Sequence, residues 1–171
     1  MSTSVSDYEA HHAEMMAAVE HSWPSVQYVA QWLVWLGHRV TVGDHTLAPT
    51  RSERRKHSDK GDLHVWFRGE PDVYRRVEVK HREKKWPWLG LPPDTIMCGS
   101  SNKWDEADPK PYMMILLHPK MTEVYHIGGA WREKCWVEDR WDDTAKAMQQ
   151  TLITDAKNFT YKKIEMPDVK G

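Results

Sequence analysis

The first part of the chain places apolar side chains at the three- and four-residue intervals of an α-helix. This spacing predicts one helix over residues 8–21. Ser22 is a typical capping residue and Pro24 suits a first turn, so a second helix is predicted from there to about Leu36, with Gly37 as its stop. The apolar positions of this second helix, which are candidates for the core, are Val26, Val29, Ala30, Trp32, Leu33 and Val34.

The middle of the chain alternates polar and apolar residues, which is the period of a β-strand. Four segments show this alternation, namely 38–42, 62–67, 73–80 and 122–127. A turn-forming stretch at 68–72 joins two of them into a predicted hairpin. The continuous apolar run 112–117 predicts a strand that is buried on both faces.

Three further segments are assigned by composition or spacing. Residues 43–61 are basic and contain little that could be buried, so they predict a mobile loop. A short helix is predicted near 95–106. The last element is predicted to be a long helix over 139–159, because its apolar residues recur at steps of three and four. That stripe consists of Trp141, Ala145, Met148, Leu152, Ala156 and Phe159.

These elements describe one mixed α/β domain, and a length of 171 residues suits a single domain with a full core. We expect a helical N-terminal extension over 1–21, a core over 22–128 and a helical C-terminal region over 129–171. No apolar run approaches the ~20 residues of a membrane span, and no secretory signal is expected. The two cysteines, Cys98 and Cys135, form neither a disulfide framework nor a usual zinc-site spacing, so a cytoplasmic location is expected.

The net charge of −1 conceals an uneven distribution. Residues 51–85 hold twelve basic and seven acidic side chains, a net +5, so the rest of the chain carries −6. A basic segment on a nearly neutral protein is typical of contact with a polyanion, and a solvated charged loop has the same composition. The chain also has ten Trp against two Phe. These rings either fill core positions or stack on a partner.

The most informative residues lie on the predicted hairpin. Side chains alternate along a strand, so Glu78 and Lys80 share one face. A hairpin centred on the turn pairs Leu63 with Val77 and Asp62 with Glu78, which keeps the apolar and polar faces separate. Two carboxylates then lie about 4.5–5.5 Å apart at Cβ, with an ammonium group one step along the strand. Further pairs in this register are His64 with Arg76 and Trp66 with Tyr74.

Facing carboxylates repel each other, and a divalent cation removes that repulsion. Mg²⁺ or Mn²⁺ takes one or two protein carboxylates together with water and phosphate oxygens, so Asp62 and Glu78 are candidate metal ligands and catalytic residues. Lys80 is a candidate for orienting or deprotonating an attacking water. His81, beside it, is a candidate phosphate contact. The alternative is a cross-strand ion pair between Asp62 and Lys80 beside a solvated Glu78.

At these residues the sequence resembles the PD-(D/E)xK phosphodiesterase superfamily, the restriction-endonuclease-like nucleases. The resemblance lies in Asp62 at the start of one strand and Glu78, Val79 and Lys80 on the next, and it covers roughly residues 22–128. It is nearest to small phage nucleases and Holliday junction resolvases. It implies a central mixed sheet of about four or five strands flanked by helices. It also implies metal ligation by Asp62, Glu78 and the Val79 carbonyl, with Lys80 as a catalytic residue.

The sequence departs from the family pattern at two places. Gly61 stands where the family name has Pro. Many members carry an acidic residue on the first core helix, whereas that region here has Gln27, and Glu20 lies further back. Both are therefore candidate accessory residues. The segment after the motif often carries DNA contacts in the family, which makes Lys103 a candidate by resemblance.

The sequence thus predicts a Mg²⁺- or Mn²⁺-dependent deoxyribonuclease for double-stranded or branched DNA, by resemblance an endonuclease rather than an exonuclease. The helix predicted over 139–159 either joins two copies in a homodimer or covers the sheet. One alternative function is a non-catalytic nucleic-acid-binding domain whose Trp66, Trp86 and Trp88 stack on bases, and another is an RNA-directed enzyme of the same fold. Candidate contacts to the nucleic-acid backbone are Arg51, Arg54, Arg55, Lys56, Lys60, Arg82, Lys84 and Lys85.

Overall fold

The computed structural model describes residues 5–44, 46–54, 56–57, 62–81, 94–142 and 146–166. In these ranges the helices are α1 (Val5–Trp35) and α2 (Ser101–Glu106). The strands are β1 (Arg39–Val42), β2 (Leu63–Trp66), β3 (Arg75–His81), β4 (Thr95–Ser100), β5 (Met113–Leu117), β6 (Glu123–Gly128), β7 (Cys135–Asp142), β8 (Ala147–Asp155) and β9 (Thr160–Lys163). Neither helix combines the length and the hydropathy that crossing a membrane requires. The fold is mixed α/β, as the sequence predicts.

Six strands form one mixed sheet in the order β1-β2-β3-β5-β6-β9. β3 and β5 run parallel, and the other neighbouring pairs are antiparallel. All five strands predicted from the sequence belong to this sheet, and β9 adds a sixth from the C-terminal part of the chain. β5 is buried along nearly its whole length, as its continuous apolar run predicts.

The β2–β3 hairpin has the predicted register. Leu63 pairs with Val77, and His64 pairs with Arg76. Leu63 and Val77 are fully buried, whereas the positions that flank them are only half-buried. Because a slip of one residue would move every side chain of a strand to the other face, this burial pattern specifies a single register.

α1 covers one face of the mixed sheet. Its C-terminal half buries Val26, Val29 and Leu33 in the cluster that contains Val77 and Val79 of β3. Fully burying an aliphatic side chain of this size contributes roughly 1.5–3 kcal/mol, because apolar surface is removed from water. The helix is therefore held firmly along the hairpin.

A second, antiparallel sheet in the order β4-β8-β7 covers the opposite face. Side chains alternate along β5, so Met114 and Leu116 point away from α1. They are buried in a separate cluster together with Ile96 of β4, Leu152 of β8 and Trp131. The mixed sheet therefore lies between a helix and a three-stranded sheet.

The predicted boundary at Ser22, between an N-terminal extension and a second helix, is wrong because α1 is continuous across it. Pro24 lies inside the helix, where it removes one backbone hydrogen bond. The Ser22 hydroxyl donates to the Val19 carbonyl at 2.6 Å instead of capping a helix start. Burial of the following turns against the sheet stabilises the helix beyond the proline. Val34, a predicted core residue, is exposed.

The long helix predicted over 139–159 is also wrong, and so is the helical character of 129–171. The described part of this region folds mainly as the antiparallel hairpin β7–β8 and as β9. Two members of the predicted apolar stripe, Trp141 and Met148, pair across the hairpin and are 56% and 60% exposed. The β-branched residues of β8 favour a strand, and they are Thr151, Ile153 and Thr154.

Two shorter predictions are only partly right. The helix predicted near 95–106 is confined to α2, and β4 occupies the first half of that segment. The loop predicted over 43–61 is anchored in its described part, because Ala48 is buried and its carbonyl oxygen lies 2.9 Å from His12 Nε2 of α1. The prediction that this loop contains little that could be buried is therefore wrong at Ala48.

A substitution in the turn of the β7–β8 hairpin is expected to change stability in opposite directions in a hairpin and in a helix. Lys146 has a φ of 49°, in the left-handed region that Gly adopts without strain and Ala does not. We expect Lys146→Gly to be more stable than Lys146→Ala by about 1 kcal/mol. In a helix the order would be reversed by about the same amount. Urea unfolding of the two variants measures the difference, and a less stable Gly variant would contradict the hairpin.

Candidate functional site

Asp62 immediately precedes β2 and directs its carboxylate towards β3. Its Oδ2 accepts a hydrogen bond of 2.6 Å from the backbone N–H of Val79. Backbone N–H groups that are removed from water need a partner, and Asp62 provides one just beyond the pair formed by Leu63. Because Val79 lies between Glu78 and Lys80, this bond brings the Asp62 carboxylate beside both residues.

β3 presents its charged residues to the second sheet. Val77 and Val79 are buried on the side of α1, so Glu78 and Lys80 point to the other side, and both are half-buried. The N–H and C=O of one strand residue leave the strand on the same side. The Val79 carbonyl therefore faces the edge at which Asp62 lies. Two carboxylates and one carbonyl oxygen are found at this end of the hairpin.

Glu78 forms an ion pair with Arg76, two residues earlier on the same face of β3. Arg76 Nε lies 2.7 Å from Glu78 Oε1, and the two side chains are 11% and 16% exposed. The alternative considered from the sequence has a solvated Glu78, and this ion pair contradicts that part of it. The guanidinium group offsets the charge of Glu78, while the second carboxylate oxygen keeps its capacity to accept.

A cleft of about 810 Å³ contains these residues. Asp62, Glu78 and Lys80 line it on the side of the mixed sheet, and residues of β4 and β8 line it on the side of the second sheet. α1 contributes His21, and α2 contributes Lys103. The three predicted catalytic residues and the predicted DNA contact Lys103 therefore share one cavity.

The predicted accessory residue His81 lines the cleft, and His21 of α1 adds a histidine that was not predicted. His81 ends β3, and its ring stacks on that of His21 with 6.5 Å between centroids and 20° between planes. His81 Nε2 is buried and has no hydrogen-bond partner in the described part of the chain. The predicted accessory residues Glu20 and Gln27 are both exposed and do not line the cleft.

Sequence reasoning missed His21 although a signal was present. Met15, Val19 and Ser22 recur at helical spacing and line the cleft from α1. That spacing identifies a face of the helix. It does not identify what the face meets, because the neighbouring strands are distant in sequence. His21 enters the site only through this tertiary contact.

Three residues of the predicted basic contact set lie in the described segment that follows β1. Arg51 and Lys56 are exposed. Arg54 turns towards α1, where its Nε donates to His12 Nδ1 at 3.0 Å and its Nη1 lies 3.0 Å from Met15 Sδ. Burial, and then repulsion from Arg51, lowers the pKa of Arg54. Its role here is to hold the loop on α1. The other members of that set, Arg55, Lys60, Arg82, Lys84 and Lys85, lie outside the described residues.

Trp66 is the described member of the three tryptophans predicted to stack on bases, since Trp86 and Trp88 lie outside the described residues. The Arg39 guanidinium covers its ring at 4.2 Å from the centroid, and the Tyr74 ring lies 5.6 Å away. The guanidinium group therefore covers one face of the Trp66 ring.

The donor set at the hairpin fits a hard divalent ion. No group of three or more His, Cys, Asp or Glu side chains suited to a metal occurs among the described residues. Mg²⁺ needs no such group, because it usually keeps several waters and binds one or two carboxylates. Asp62, Glu78 and the Val79 carbonyl meet that requirement with oxygen atoms alone.

No protein-family model, curated protein or solved structure matches this chain in the comparisons made. The geometry of the cleft is accordingly the basis on which a function can be assigned.

The Arg76–Glu78 pair leads to a stability prediction. Arg76→Gln leaves a half-buried carboxylate without its counter-ion, so we expect the free energy of unfolding to fall by about 1–3 kcal/mol. Adding Glu78→Gln should recover most of this loss, which a double-mutant cycle of chemical unfolding measures. The control is Glu70→Gln, because Glu70 pairs with Arg75 at 3.1 Å with 51% and 36% exposure, and Arg75 keeps its contact with Tyr112. That exposed pair should contribute no more than about 1 kcal/mol. Equal losses in Arg76→Gln and Glu70→Gln would contradict a special role for the Arg76–Glu78 pair.

Proposed function

We propose that this chain is a metal-dependent nuclease of the PD-(D/E)xK type, with a restriction-endonuclease-like core, that hydrolyses DNA phosphodiester bonds. The observation that carries the proposal is the 2.6 Å hydrogen bond from the Val79 N–H to Asp62. It joins an aspartate to a Glu-x-Lys strand inside a cleft of about 810 Å³. The hairpin has the predicted register, and this register also places Asp62 beside the Glu-x-Lys strand.

In this proposal Asp62, Glu78 and the Val79 carbonyl hold Mg²⁺ or Mn²⁺. Bound there, the ion supplies Lewis-acid stabilisation of charge on the phosphate oxygens. The Lys80 ammonium lies on the same face as Glu78, where it orients the attacking water and offsets negative charge on the phosphate. The Arg76 guanidinium fixes the Glu78 carboxylate by its 2.7 Å contact, which makes Arg76 a positioning residue.

The substrate is double-stranded or branched DNA, cut internally. Lys103 on α2 reaches the same cleft as Lys80, and the exposed Arg51 and Lys56 add positive charge at a distance from it. Cationic side chains of this kind bind the phosphate backbone with a salt-dependent affinity. Two copies can cut both strands together, so a homodimer in the cytoplasm belongs to the proposal. Its interface cannot be a helix over 139–159, because the described part of that segment is mainly strand.

One observation favours a second candidate, a non-catalytic nucleic-acid-binding domain. Glu78 already has a counter-ion in Arg76, so the repulsion between the two carboxylates is reduced without a metal. A binding domain would use the lysines of the same cleft, Lys80 and Lys103, for the phosphate backbone. The two candidates differ in whether the cleft breaks a phosphodiester bond.

A cleavage assay separates them. Supercoiled plasmid, linear duplex and a four-way junction are incubated with the protein in Mg²⁺, in Mn²⁺ and in EDTA. We expect metal-dependent cutting by the wild type and a loss of at least about 100-fold in Glu78→Gln and in Lys80→Ala. Matched controls are Glu70→Gln and Lys157→Ala, whose side chains are exposed and do not line the cleft. Absence of cutting by the wild type in every metal, with salt-dependent DNA binding intact, would favour the binding domain.

Metal binding can be measured without activity. Asp62→Asn keeps an oxygen that can accept from the Val79 N–H, so the hairpin should remain folded while one negative ligand is lost. We expect its affinity for Mn²⁺, followed by electron paramagnetic resonance, to fall about 10- to 100-fold. Asp155→Asn is the control, since Asp155 lies outside the cleft in an exposed ion pair with Lys157. Equal Mn²⁺ affinities in the wild type and Asp62→Asn would contradict the metal site.

A further inference from the structure

A second pocket, of about 440 Å³, adjoins the cleft. Arg76, Trp104 and Pro111 line both cavities. Arg76 and Glu78 are two residues apart on β3, roughly 6.6 Å along the strand. This spacing is of the order of one nucleotide step. A nucleic-acid strand bound at Glu78 can therefore extend directly into the second pocket.

The aromatic side chains of this pocket are held in place by packing. Trp104 meets Trp131 edge to face at 4.8 Å, and the buried Trp131 donates from Nε1 to the Pro111 carbonyl at 3.1 Å. The Tyr112 ring lies 5.7 Å from Phe67 and carries the Arg75 guanidinium 4.9 Å from its centroid. Rings that are fixed before binding lose little entropy when a flat ligand stacks on them.

Tyr74 extends the aromatic lining to the mouth of the pocket, where it is exposed. It contacts Trp66 and His64, with ring centroids 5.6 and 5.0 Å away. An exposed ring beside fixed rings is the arrangement of a stacking platform for bases.

Positive charge accompanies these rings. Arg132 lines the pocket, and its Nε is buried without a hydrogen-bond partner in the described part of the chain. Lys110 is held at the end of α2, because its Nζ donates to the carbonyls of Trp104 and Asp105 at 2.9 and 2.6 Å. Glu133 is the carboxylate in the lining. A buried guanidinium nitrogen with no partner is costly, and an anionic ligand beside it reduces that cost.

We propose that this pocket binds one unstacked nucleotide of the DNA strand next to the cleaved bond, with its base on the aromatic rings and its phosphate beside Arg132 and Lys110. The inference rests on the proposed nuclease function and adds the substrate class. A base inside a duplex has both faces covered by its stacked neighbours, so an aromatic platform takes a base that has left the stack. The preferred substrate is therefore DNA with a single-stranded tail or branch rather than a blunt duplex.

DNA binding in EDTA tests the pocket separately from cleavage. A fluorescent blunt duplex and the same duplex with a single-stranded tail are titrated and followed by fluorescence anisotropy. We expect the wild type to bind the tailed duplex about 5- to 100-fold more tightly, the range for a stacked base. Arg132→Gln and Tyr74→Leu should lose most of that preference. Arg140→Gln, on the exposed face of β7, should keep it.

Three outcomes would overturn the inference. The first is equal binding of blunt and tailed DNA by the wild type. The second is an unchanged tail preference in both Arg132→Gln and Tyr74→Leu. Tyr74→Leu removes an exposed ring and is expected to fold. The third is displacement of the tailed duplex by a free deoxynucleoside monophosphate of equal affinity, which would indicate a mononucleotide site rather than a strand site.

Failure of this inference can be distinguished from failure of the nuclease proposal. Tail preference without cutting in any metal would contradict the nuclease and would leave the nucleotide pocket supported. Metal-dependent cutting without tail preference would contradict only the pocket.

Discussion

The candidate site depends on one backbone N–H group of β3 that lies beyond the described pairs with β2. The ladder between β2 and β3 is described as far as the pair of Leu63 and Val77, and Val79 lies two residues beyond it. Its N–H needs an acceptor, and the Asp62 carboxylate supplies one at 2.6 Å. The same bond therefore satisfies the Val79 N–H group and positions the first acid of the site. A carboxylate held in this way is ordered before any ligand arrives, which is the condition for an efficient binding site.

The enclosure of the mixed sheet explains why the charged residues of β3 line a cleft. α1 buries Val77 and Val79 from one side, which directs Glu78 and Lys80 to the other. There the second sheet covers the apolar Met114 and Leu116 of β5. Beside this apolar cluster, the space between the two sheets and the N-terminal half of α1 stays open as the cleft. α1 and the second sheet, packed on opposite faces of the mixed sheet, thus form both the core and the walls of the site.

Arg76 connects the site with the smaller pocket that adjoins it. It pairs with Glu78 at 2.7 Å and also lines both cavities. A guanidinium group in this place serves two purposes, since it fixes the Glu78 carboxylate and forms part of the wall of both cavities. Beyond Arg76, the smaller pocket is lined by further basic and aromatic side chains, among them Lys110, Tyr112 and Arg132.

The hairpin could be predicted from the sequence because its information is local. Alternation over 62–67 and 73–80 defines the two faces, and the turn between them permits one register in which Leu63 meets Val77. Asp62, Glu78 and Lys80 follow from that register. The same kind of pattern failed over 139–159, because spacing of three and four was read as a helix although the segment is mainly β7 and β8. There Trp141 and Met148 are exposed, so their spacing does not record a buried face.

What the sequence determined by itself is the identity and the relative placement of the three residues on the hairpin, because neighbours across a short turn are set by pleat and register alone. Only the tertiary structure decided what surrounds them. His21 comes from the middle of a helix that runs through Pro24, and the opposite wall comes from β4 and β8, far along the chain. Such contacts depend on how separate layers pack, and packing is determined by the joint burial of distant apolar faces rather than by any local pattern.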